Sequence, residues 1–388
     1  MLLGQRLKDL VAFQMVPRHE RRIVIYSEGK DYWPHLSEIV HTLINEIDAP
    51  LLYVSSDVDD PGLSLDHPKL LPFLTDMGSL RNWLFENIDA DVVVMTMPDI
   101  DQFQVRRSRH SVHYMYVQHS LVSLHMAYRQ HAYSAFDSLC CAGPHHVVEA
   151  RALERKNGTP AKRLIEHGSG RLDQIIRAAD AAGPPDSNQG QERPKRILIA
   201  PSWGPHGLVE NGCTDLIDTL LAHDFSVTLR PHPHSRRSAT GKLSEIARRY
   251  LERPGFLFEF DVSGYETLLS SDIMISDWSG AATDFAFGRL GPVIFLDIPR
   301  KVNNPHYEEL SLEPFEVSIR NQIGVVVRPD EIDQIAAHAE EMATNSNEIR
   351  RSLRELRNKY VFNIGNSGRI AADEILRLLD AKSNRSNA

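Results

Sequence analysis

Short apolar runs rich in β-branched residues recur along this chain, and amphipathic helical patterns separate many of them. Strands that alternate with helices favour parallel sheets, because neighbouring parallel strands need a long crossover connection. A first series predicts strands at Ile23–Tyr26, Leu51–Ser55, Val92–Thr96, Tyr114–Gln118, Ser138–Ala142 and Leu164–Glu166. A second predicts strands at Ile197–Ala200, Val227–Leu229, Phe256–Phe260, Ile273–Ser276, Val293–Leu296 and Gly324–Val327. The alternation predicts an α/β fold with two doubly wound sheets.

A polar segment rich in proline and glycine separates the two series. Residues 178–195 read AADAAGPPDSNQGQERPK and carry no apolar period, which is typical of a linker. A length of 388 residues suits two domains. We therefore predict an N-terminal domain over residues 1–180, a linker over 181–195, and a C-terminal domain over 196–388 that includes the closing helices.

Composition limits the classes of partner. Charged residues make up 24% of the chain and the net charge is −9, so the protein is globular and lacks a basic footprint for nucleic acid. Three cysteines without CxxC spacing suit a reducing compartment, and we expect a cytoplasmic protein. Residues 1–22 form an amphipathic pattern that either packs on the protein's own core or contacts a membrane surface as a peripheral anchor.

The ends of five predicted strands carry basic, hydroxyl, imidazole or small residues instead of ordinary turn residues. In doubly wound sheets ligands bind beyond the carboxyl ends of the strands, so these positions are the candidate site. They include His119 and Ser120, Gly168 and Arg171, Ser202, Arg230 and His232, and the group Ser276, Asp277, Ser279 and Gly280.

Two of these strand ends suggest phosphate binding. The SDWSGAATDF stretch opens a helix with small residues, whose free N–H groups and dipole favour a phosphate, although Asp277 or Ser279 could equally be an ordinary N-cap. The RPHP stretch sets Arg230 beside His232 between prolines, which suits a diphosphate and its leaving group. The alternative is a strand-ending turn with a solvated histidine. His232 and His234 have metal-ligand spacing, but no third ligand is evident, so no metal is predicted.

His119 follows a strand that is predicted to be buried. An imidazole at this position can act as a general base toward an acceptor hydroxyl, or it can be purely structural. A serine hydrolase is disfavoured because the chain has no GxSxG elbow.

The order of these motifs resembles that of the CDP-glycerol glycerophosphotransferase family, which primes and polymerises teichoic-acid-like polymers of the cell envelope. The resemblance rests on YVQHSLVSLHMAYRQHAYSAFDSLCCAGP, GSGRLDQI, ILIAPSW, TLRPHPH, SDWSGAATDFAFGRLGPVIFLD and NSGRIAADEILRLL, and it spans about residues 114–380. It implies a GT-B architecture, with acceptor binding at the N-terminal domain and nucleotide-donor binding at the C-terminal domain. It also implies transfer of glycerol phosphate from CDP-glycerol to a lipid-linked or glycan acceptor, with release of CMP and no required cofactor.

The resemblance implies roles for individual residues. His119 matches the candidate base, His232 the histidine of the donor domain, and the Ser276–Gly280 stretch the phosphate element. Further residues expected to bind the donor or its phosphates are Gly168, Arg171, Ser202 and Arg230. The family often has His-Gly where this chain has His119-Ser120, and Ser120 is predicted to narrow the acceptor side. Such enzymes are peripheral at the inner membrane face. Two alternatives remain: a glycosyltransferase or nucleotide-sugar epimerase of the same fold, and a non-catalytic homologue that binds a polymer or a partner.

Overall fold

The computed structural model describes residues 2–183, 194–260 and 264–386, whose strands form two separate parallel sheets. The strands of the first sheet are β1 (Ile23–Ser27), β2 (Leu51–Ser55), β3 (Leu70–Leu74), β4 (Val92–Met95), β5 (His113–Val117), β6 (Ser138–Cys141) and β7 (Arg163–Glu166). Those of the second are β8 (Arg196–Ile199), β9 (Ser226–Leu229), β10 (Phe256–Phe258), β11 (Ile273–Ser276), β12 (Val293–Leu296) and β13 (Gly324–Val327).

Both sheets are doubly wound, as the sequence predicts. The strand order is β3-β2-β1-β4-β5-β6-β7 in the first sheet and β10-β9-β8-β11-β12-β13 in the second. Each order reverses once, between β1 and β4 and between β8 and β11. Ligands of such sheets bind at the carboxyl ends of the strands beside this reversal, which directs attention to the residues that follow these four strands.

Strand β3 was not predicted, although every predicted strand is present within two residues of its expected bounds. Pro72 lies in the middle of β3, opposite Tyr53 of β2. Proline has no backbone N–H to donate to a neighbouring strand, so its presence argues against a central strand. An edge strand tolerates proline, because one of its sides has no partner strand. Strand β3 is the edge of its sheet, which explains how the chain accommodates this residue.

The helices cover both faces of the sheets. The α-helices are α1 (Leu2–Met15), α2 (Trp33–His41), α3 (Ser79–Asn87), α4 (Pro144–Asn157), α5 (Gly170–Ala182), α6 (Cys213–Ala222), α7 (Ser235–Ser238), α8 (Thr240–Tyr250), α9 (Glu266–Ser270), α10 (Ala281–Asp284), α11 (Phe315–Ser318), α12 (Arg320–Ile323), α13 (Ile335–Thr344), α14 (Ser346–Tyr360) and α15 (Ser367–Ser386). Helices α2 and α10 continue as π-helical turns over Thr42–Glu46 and Phe285–Arg289. Single 3₁₀ turns occur at Pro61–Ser64, Tyr307–Leu310 and Pro329–Gln334.

The predicted linker falls largely outside the described residues. Helix α5 extends to Ala182, so the first two residues of the predicted 181–195 segment are helical. Residues 184–193 lie outside the described part of the chain, and strand β8 begins at Arg196. The three cysteines, Cys140, Cys141 and Cys213, are buried and form no disulfide.

The two sheets are joined by direct packing between their helices. Helix α5 of the first domain lies against the π-helical turn Phe285–Arg289 of the second. The contact is close, since a Cβ on Gly288 would come within 2.3 Å of the Ile175 side chain. One apolar cluster includes Leu172 and Ile175 from the first domain together with Phe285 and Phe287 from the second.

The last helix returns to the first domain, whereas the sequence analysis placed it in the second. Helix α15 buries Ala371, Ala372, Ile375 and Leu379 in the same apolar cluster as strand residues of β1. The chain crosses back near Phe362, whose N–H donates to the carbonyl of Ala142 at 2.9 Å. The apolar stripe of this helix was visible in the sequence, but its partner sheet was not, because an amphipathic pattern does not identify the surface that covers it.

Helix α1 packs on β3 and leaves an apolar face exposed. Phe13 is buried edge-on against Phe73, with ring centroids 5.3 Å apart, and the Asp9 carboxylate accepts from Leu74 N at 2.9 Å. The exposed side carries Leu2, Leu3, Leu7, Val11 and Met15. The predicted apolar residues of this segment are therefore divided between two faces. No helix in the described ranges is long and apolar enough to cross a bilayer.

Candidate functional site

The carboxyl ends of the two sheets meet at Ser120 and Gly280. Ser120 follows β5 in the first domain and Gly280 follows β11 in the second. A Cβ on Gly280 would lie only 2.4 Å from Ser120 Oγ, so a larger residue at position 280 would displace the serine. Two strand ends predicted from sequence to carry function are thus brought into contact across the domain boundary.

His119 lies within a cage of aromatic side chains at this boundary. Its Nδ1 is 3.0 Å from the hydroxyl of Tyr116, and its Nε2 is 3.3 Å from the hydroxyl of Tyr128. The rings of Tyr32 and His35 approach edge-on, with centroids 5.7 and 5.8 Å from that of His119. Burial lowers the pKa of His119 to about 4, so the imidazole is neutral at physiological pH.

His232 lies in an aromatic group on the other side of the boundary. Its ring stacks on that of His234 at 5.4 Å, and the His234 ring stacks on Trp203 at 4.8 Å. The backbone N–H of His234 donates to His232 Nδ1 at 3.1 Å. Because Nδ1 accepts this bond, the proton of the neutral ring is assigned to Nε2, which is left as a donor.

Electrostatics place His232 close to both Lys301 and His119. Burial, together with the nearby positive forms of Lys301, His234 and His119, lowers the pKa of His232 to about 3. The Lys301 ammonium lies 4.0 Å from the centroid of Trp203. Burial lowers the pKa of Lys301 to about 8, with Asp277 opposing the shift, so this side chain is mostly protonated at neutral pH.

Three residues that were predicted to bind the donor, Ser202, Ser276 and Asp277, form hydrogen bonds that hold two loops together. The Asp277 carboxylate accepts from the backbone N–H groups of Ser202 at 2.7 Å and Leu208 at 3.1 Å. Ser276 Oγ donates to the carbonyl of Ala200 at 2.7 Å. These bonds fix the loop after β8 against the end of β11. The direct ligand role given to Ser202, Ser276 and Asp277 stays a prediction, and their observed contacts are with the protein itself.

Ser279 and Gly280 precede helix α10. Ser279 Oγ accepts from Ala281 N at 3.3 Å, but the N-cap position of α10 is Gly280, so neither Ser279 nor Asp277 is the N-cap residue. Phosphate binding at this position is untested and stays a prediction.

Arg230, Arg171 and Gly168 also have protein partners. Arg230 is buried, donates to the carbonyl of Gly264 at 2.8 Å and lies 3.6 Å from Glu259. Arg171 forms an ion pair with Asp284 at 2.9 Å, which crosses between the domains. Gly168 has a φ of +93°, and a Cβ there would lie 2.4 Å from the carbonyl oxygen of Phe362. Only glycine fits at position 168, because the chain passes so close to it on its return to the first domain. This packing requirement holds whether or not a nucleotide donor binds there.

Sequence reasoning missed several polar groups at the same boundary. Glu28 directly follows β1, Thr96 follows β4, and Lys301 lies a few residues beyond β12. Burial raises the pKa of Glu28 to about 7, with Asp99 adding to the shift and Arg81 opposing it. The strand-end rule, applied to β1 and β4 as well as β5, would have identified the first two. No group of three His, Cys, Asp or Glu side chains in the described ranges is arranged to hold a metal ion.

Two Rossmann-like α/β domains that face each other through their strand ends define the GT-B fold. No protein-family model matches this sequence, and no curated protein matches it. Solved structures do match over nearly the whole chain. The S. aureus MnaA–UDP complex has a TM-score of 0.57 at 12% identity, over 94% of this chain and 97% of that one.

Two further solved structures are similar to this chain. UDP-GlcNAc 2-epimerase of Methanocaldococcus jannaschii, in complex with UDP-GlcNAc and UDP, has a TM-score of 0.53 at 13% identity, covering 93% of this chain and 99% of that one. The Neisseria meningitidis enzyme bound to UDP-GlcNAc has a TM-score of 0.51 at 12% identity, covering 92% and 100%. At such low identity these similarities establish the fold, and the activity must be argued from the site.

Proposed function

We propose that this chain is a transferase that moves a glycerol-phosphate unit from CDP-glycerol to a hydroxyl of a lipid-linked or glycan acceptor and releases CMP. The observation that carries the proposal is that two neutral histidines, His119 and His232, come from opposite domains whose strand ends meet at Ser120 and Gly280, next to His119. The motif order described above supports CDP-glycerol as the donor. The product would belong to a teichoic-acid-like polymer of the cell envelope.

The second domain supplies the groups that suit a diphosphate. The ammonium of Lys301 and the Nε2–H of His232 are both donors, and both lie beside Trp203. Donors to a phosphate oxygen are strongest where water is excluded and one partner is charged. Arg230 precedes His232 by two residues, is buried and donates to the carbonyl of Gly264 at 2.8 Å.

The first domain supplies a group that suits the acceptor. In the proposed step the acceptor oxygen attacks the distal phosphorus of the donor and forms a new P–O bond. The bond from that phosphorus to the bridging oxygen breaks, and CMP leaves with the bridging oxygen. The acceptor proton passes to Nε2 of His119. Tyr128 is at 3.3 Å from this nitrogen, so its hydroxyl is either displaced by the acceptor or relays the proton.

Phosphoryl transfer depends mainly on alignment and on stabilisation of charge. The neutral state of His119 leaves a ring lone pair available as a base at neutral pH, in agreement with its lowered pKa. The donor capacity of His232 Nε2 and of Lys301 would offset the charge that develops on CMP.

Replacement of Lys301 tests the donor side. We expect Lys301→Met to weaken CDP-glycerol binding by about tenfold or more, because a hydrogen bond from a charged donor contributes on that scale. His232→Ala should weaken it in the same direction. The measurement is the dissociation constant of CDP-glycerol by isothermal titration calorimetry.

The matched control is Lys242→Met in the same domain, where the lysine is exposed and pairs with Glu245 at 3.3 Å. Its affinity should equal that of the unaltered chain. Equal affinities for Lys301→Met and the control would remove Lys301 from the donor site.

A nucleotide-sugar epimerase is the second candidate, favoured by the solved structures of UDP-GlcNAc 2-epimerases that share this fold. Release of CMP from CDP-glycerol by the purified protein, with and without a glycerol-phosphate-terminated lipid, separates the two. Acceptor-dependent CMP release supports the transferase. Conversion of UDP-GlcNAc to an epimer, without any CMP release, would contradict the transferase proposal and support the epimerase instead.

The proposed acceptor also bears on location. We propose that residues 1–22 contact the inner face of the cytoplasmic membrane peripherally, through the exposed apolar side of α1. The basic residues that follow this helix contribute less to electrostatic attraction toward a membrane surface than their number suggests. Arg18 and Arg22 are both paired with Asp91, at 2.6 and 2.8 Å. Anchoring would therefore rest mainly on apolar insertion.

A further inference from the structure

Unpartnered polar atoms concentrate at the carboxyl edge of the first sheet, beside His119. The buried side-chain atoms without a hydrogen-bond partner include Glu28 Oε2, His35 Nδ1, Thr96 Oγ1 and Asp99 Oδ1. Thr96 is fully buried and His35 is 8% exposed. Buried polar groups without partners are rare and costly, so a cluster of them at one sheet edge points to a ligand that would satisfy them.

These residues line one crevice. Glu28 and Thr96 follow β1 and β4, the two strands between which the sheet order reverses. Tyr32 caps the start of α2, and its ring meets that of His119 edge-on. Burial raises the pKa of Tyr32, Tyr116 and Tyr128 around His119, and the charge of Glu28 adds to each shift. The contacts of Tyr32, His35 and Thr96 with His119 place this crevice beside the proposed base.

The charge of this crevice differs from that of the donor side. The donor side presents the ammonium of Lys301, whereas the crevice presents the carboxylates of Glu28 and Asp99. Arg81 is buried close to Glu28 and offsets its charge, and the guanidinium groups of Arg129 and Arg171 are paired with Asp99 at 3.0 Å and Asp284 at 2.9 Å. An anion gains little net attraction where these charges balance, while an uncharged group with several hydroxyls would supply donors to the carboxyl groups and to the imidazole.

We propose that this crevice binds the acceptor through an uncharged polyol, of the sugar-ring class, with Glu28 as the main hydrogen-bond acceptor and Thr96 and His35 as further partners. The inference rests on the proposed transferase function and specifies its acceptor: the attacking hydroxyl belongs to a neutral sugar and not to the end of a glycerol-phosphate chain. Aromatic walls with a few converging polar groups are the usual construction of such a pocket.

The test uses saturation-transfer NMR on the full chain with two probes, methyl N-acetylglucosaminide and glycerol 3-phosphate. At pH 8 Glu28, with its pKa of about 7, is mostly ionised. At that pH we expect the sugar to bind and Glu28→Gln to weaken its binding by about tenfold, since an ionised acceptor contributes on that scale. Thr96→Val should weaken it several-fold, and because the hydroxyl has no protein partner, this variant should keep its folding stability. Glu20→Gln, an exposed carboxylate of the same domain, is the matched control and should bind the sugar like the unaltered chain.

Other results would overturn the inference. They are tighter binding of glycerol 3-phosphate than of the sugar, unchanged sugar affinity in Glu28→Gln, or binding of neither probe. CDP-glycerol binding is measured on the same samples, because it depends on the second domain. If CDP-glycerol binds and the sugar does not, only the acceptor assignment fails; if CDP-glycerol does not bind, the proposed function fails as well.

Discussion

His119→Ala is expected to reduce the rate of CMP release by about 10²–10⁴-fold, which is the usual contribution of a general base. The burial of His119 also predicts how the rate of CMP release depends on pH. Because burial lowers the pKa of His119 to about 4, the ring is an unprotonated base throughout the range from pH 8 to pH 6. The base should therefore lose activity only as the pH falls toward about 4, well below the usual histidine range. The measurement is kcat for CMP release from CDP-glycerol between pH 5 and pH 8.

His131→Ala is the matched control, because this histidine is exposed in the same segment and contacts only Ser134 Oγ, at 3.4 Å. It should leave both the rate and its pH profile unchanged. A His119→Ala enzyme with undiminished rate would show that the imidazole is structural, and that the acceptor proton leaves by another route.

Asp173→Ala is expected to produce the largest loss of stability among the polar residues discussed. Asp173 is buried on α5, and its carboxylate accepts from Gly365 N at 2.6 Å, Ser367 N at 3.1 Å and Ser367 Oγ at 2.5 Å. Removal leaves the buried N–H and hydroxyl of Ser367 without this acceptor at the start of α15, and the part-buried N–H of Gly365 loses its partner as well. A net cost of about 1 kcal/mol for each bond gives a loss of about 3 kcal/mol in the free energy of unfolding.

Urea denaturation of the full chain measures this loss. Asp180→Ala is the control on the same helix, because Asp180 is exposed, and it should unfold at the midpoint of the unaltered chain. Limited proteolysis adds a local readout, since α15 should become accessible in Asp173→Ala before the second domain does. Identical midpoints for the two variants would contradict the anchoring role.

Periodicity predicted most of the architecture, because buried parallel strands and amphipathic helices leave strong local patterns. The exceptions have physical causes. Strand β3 was missed because Pro72 is compatible only with an edge, and edge position is a property of the whole sheet. The position of α15 was missed because burial of a helix face does not specify which sheet covers it.

The candidate site was predicted in outline only. The strand-end rule located His119, Ser120 and Gly280, which the structure brings to the same boundary. The strand-end rule does not say in which direction a side chain points. Asp277 and Arg230 were predicted to bind the donor, and the hydrogen bonds observed for them are with other parts of the protein. Glu28 directly follows β1, where the strand-end rule applies but was not used, whereas Lys301 carries no motif and is distinguished only by its burial and its neighbouring charge.

The return of α15 to the first sheet makes the second domain an insertion within the first. The chain passes between the domains twice, once before β8 and once near Phe362. Two crossings restrict relative motion to rotation about the line that joins them, so the cleft would open as a hinged clamp and would not separate freely. During synthesis the inserted domain can fold first, whereas the first domain completes its apolar core only after Leu379 has emerged from the ribosome.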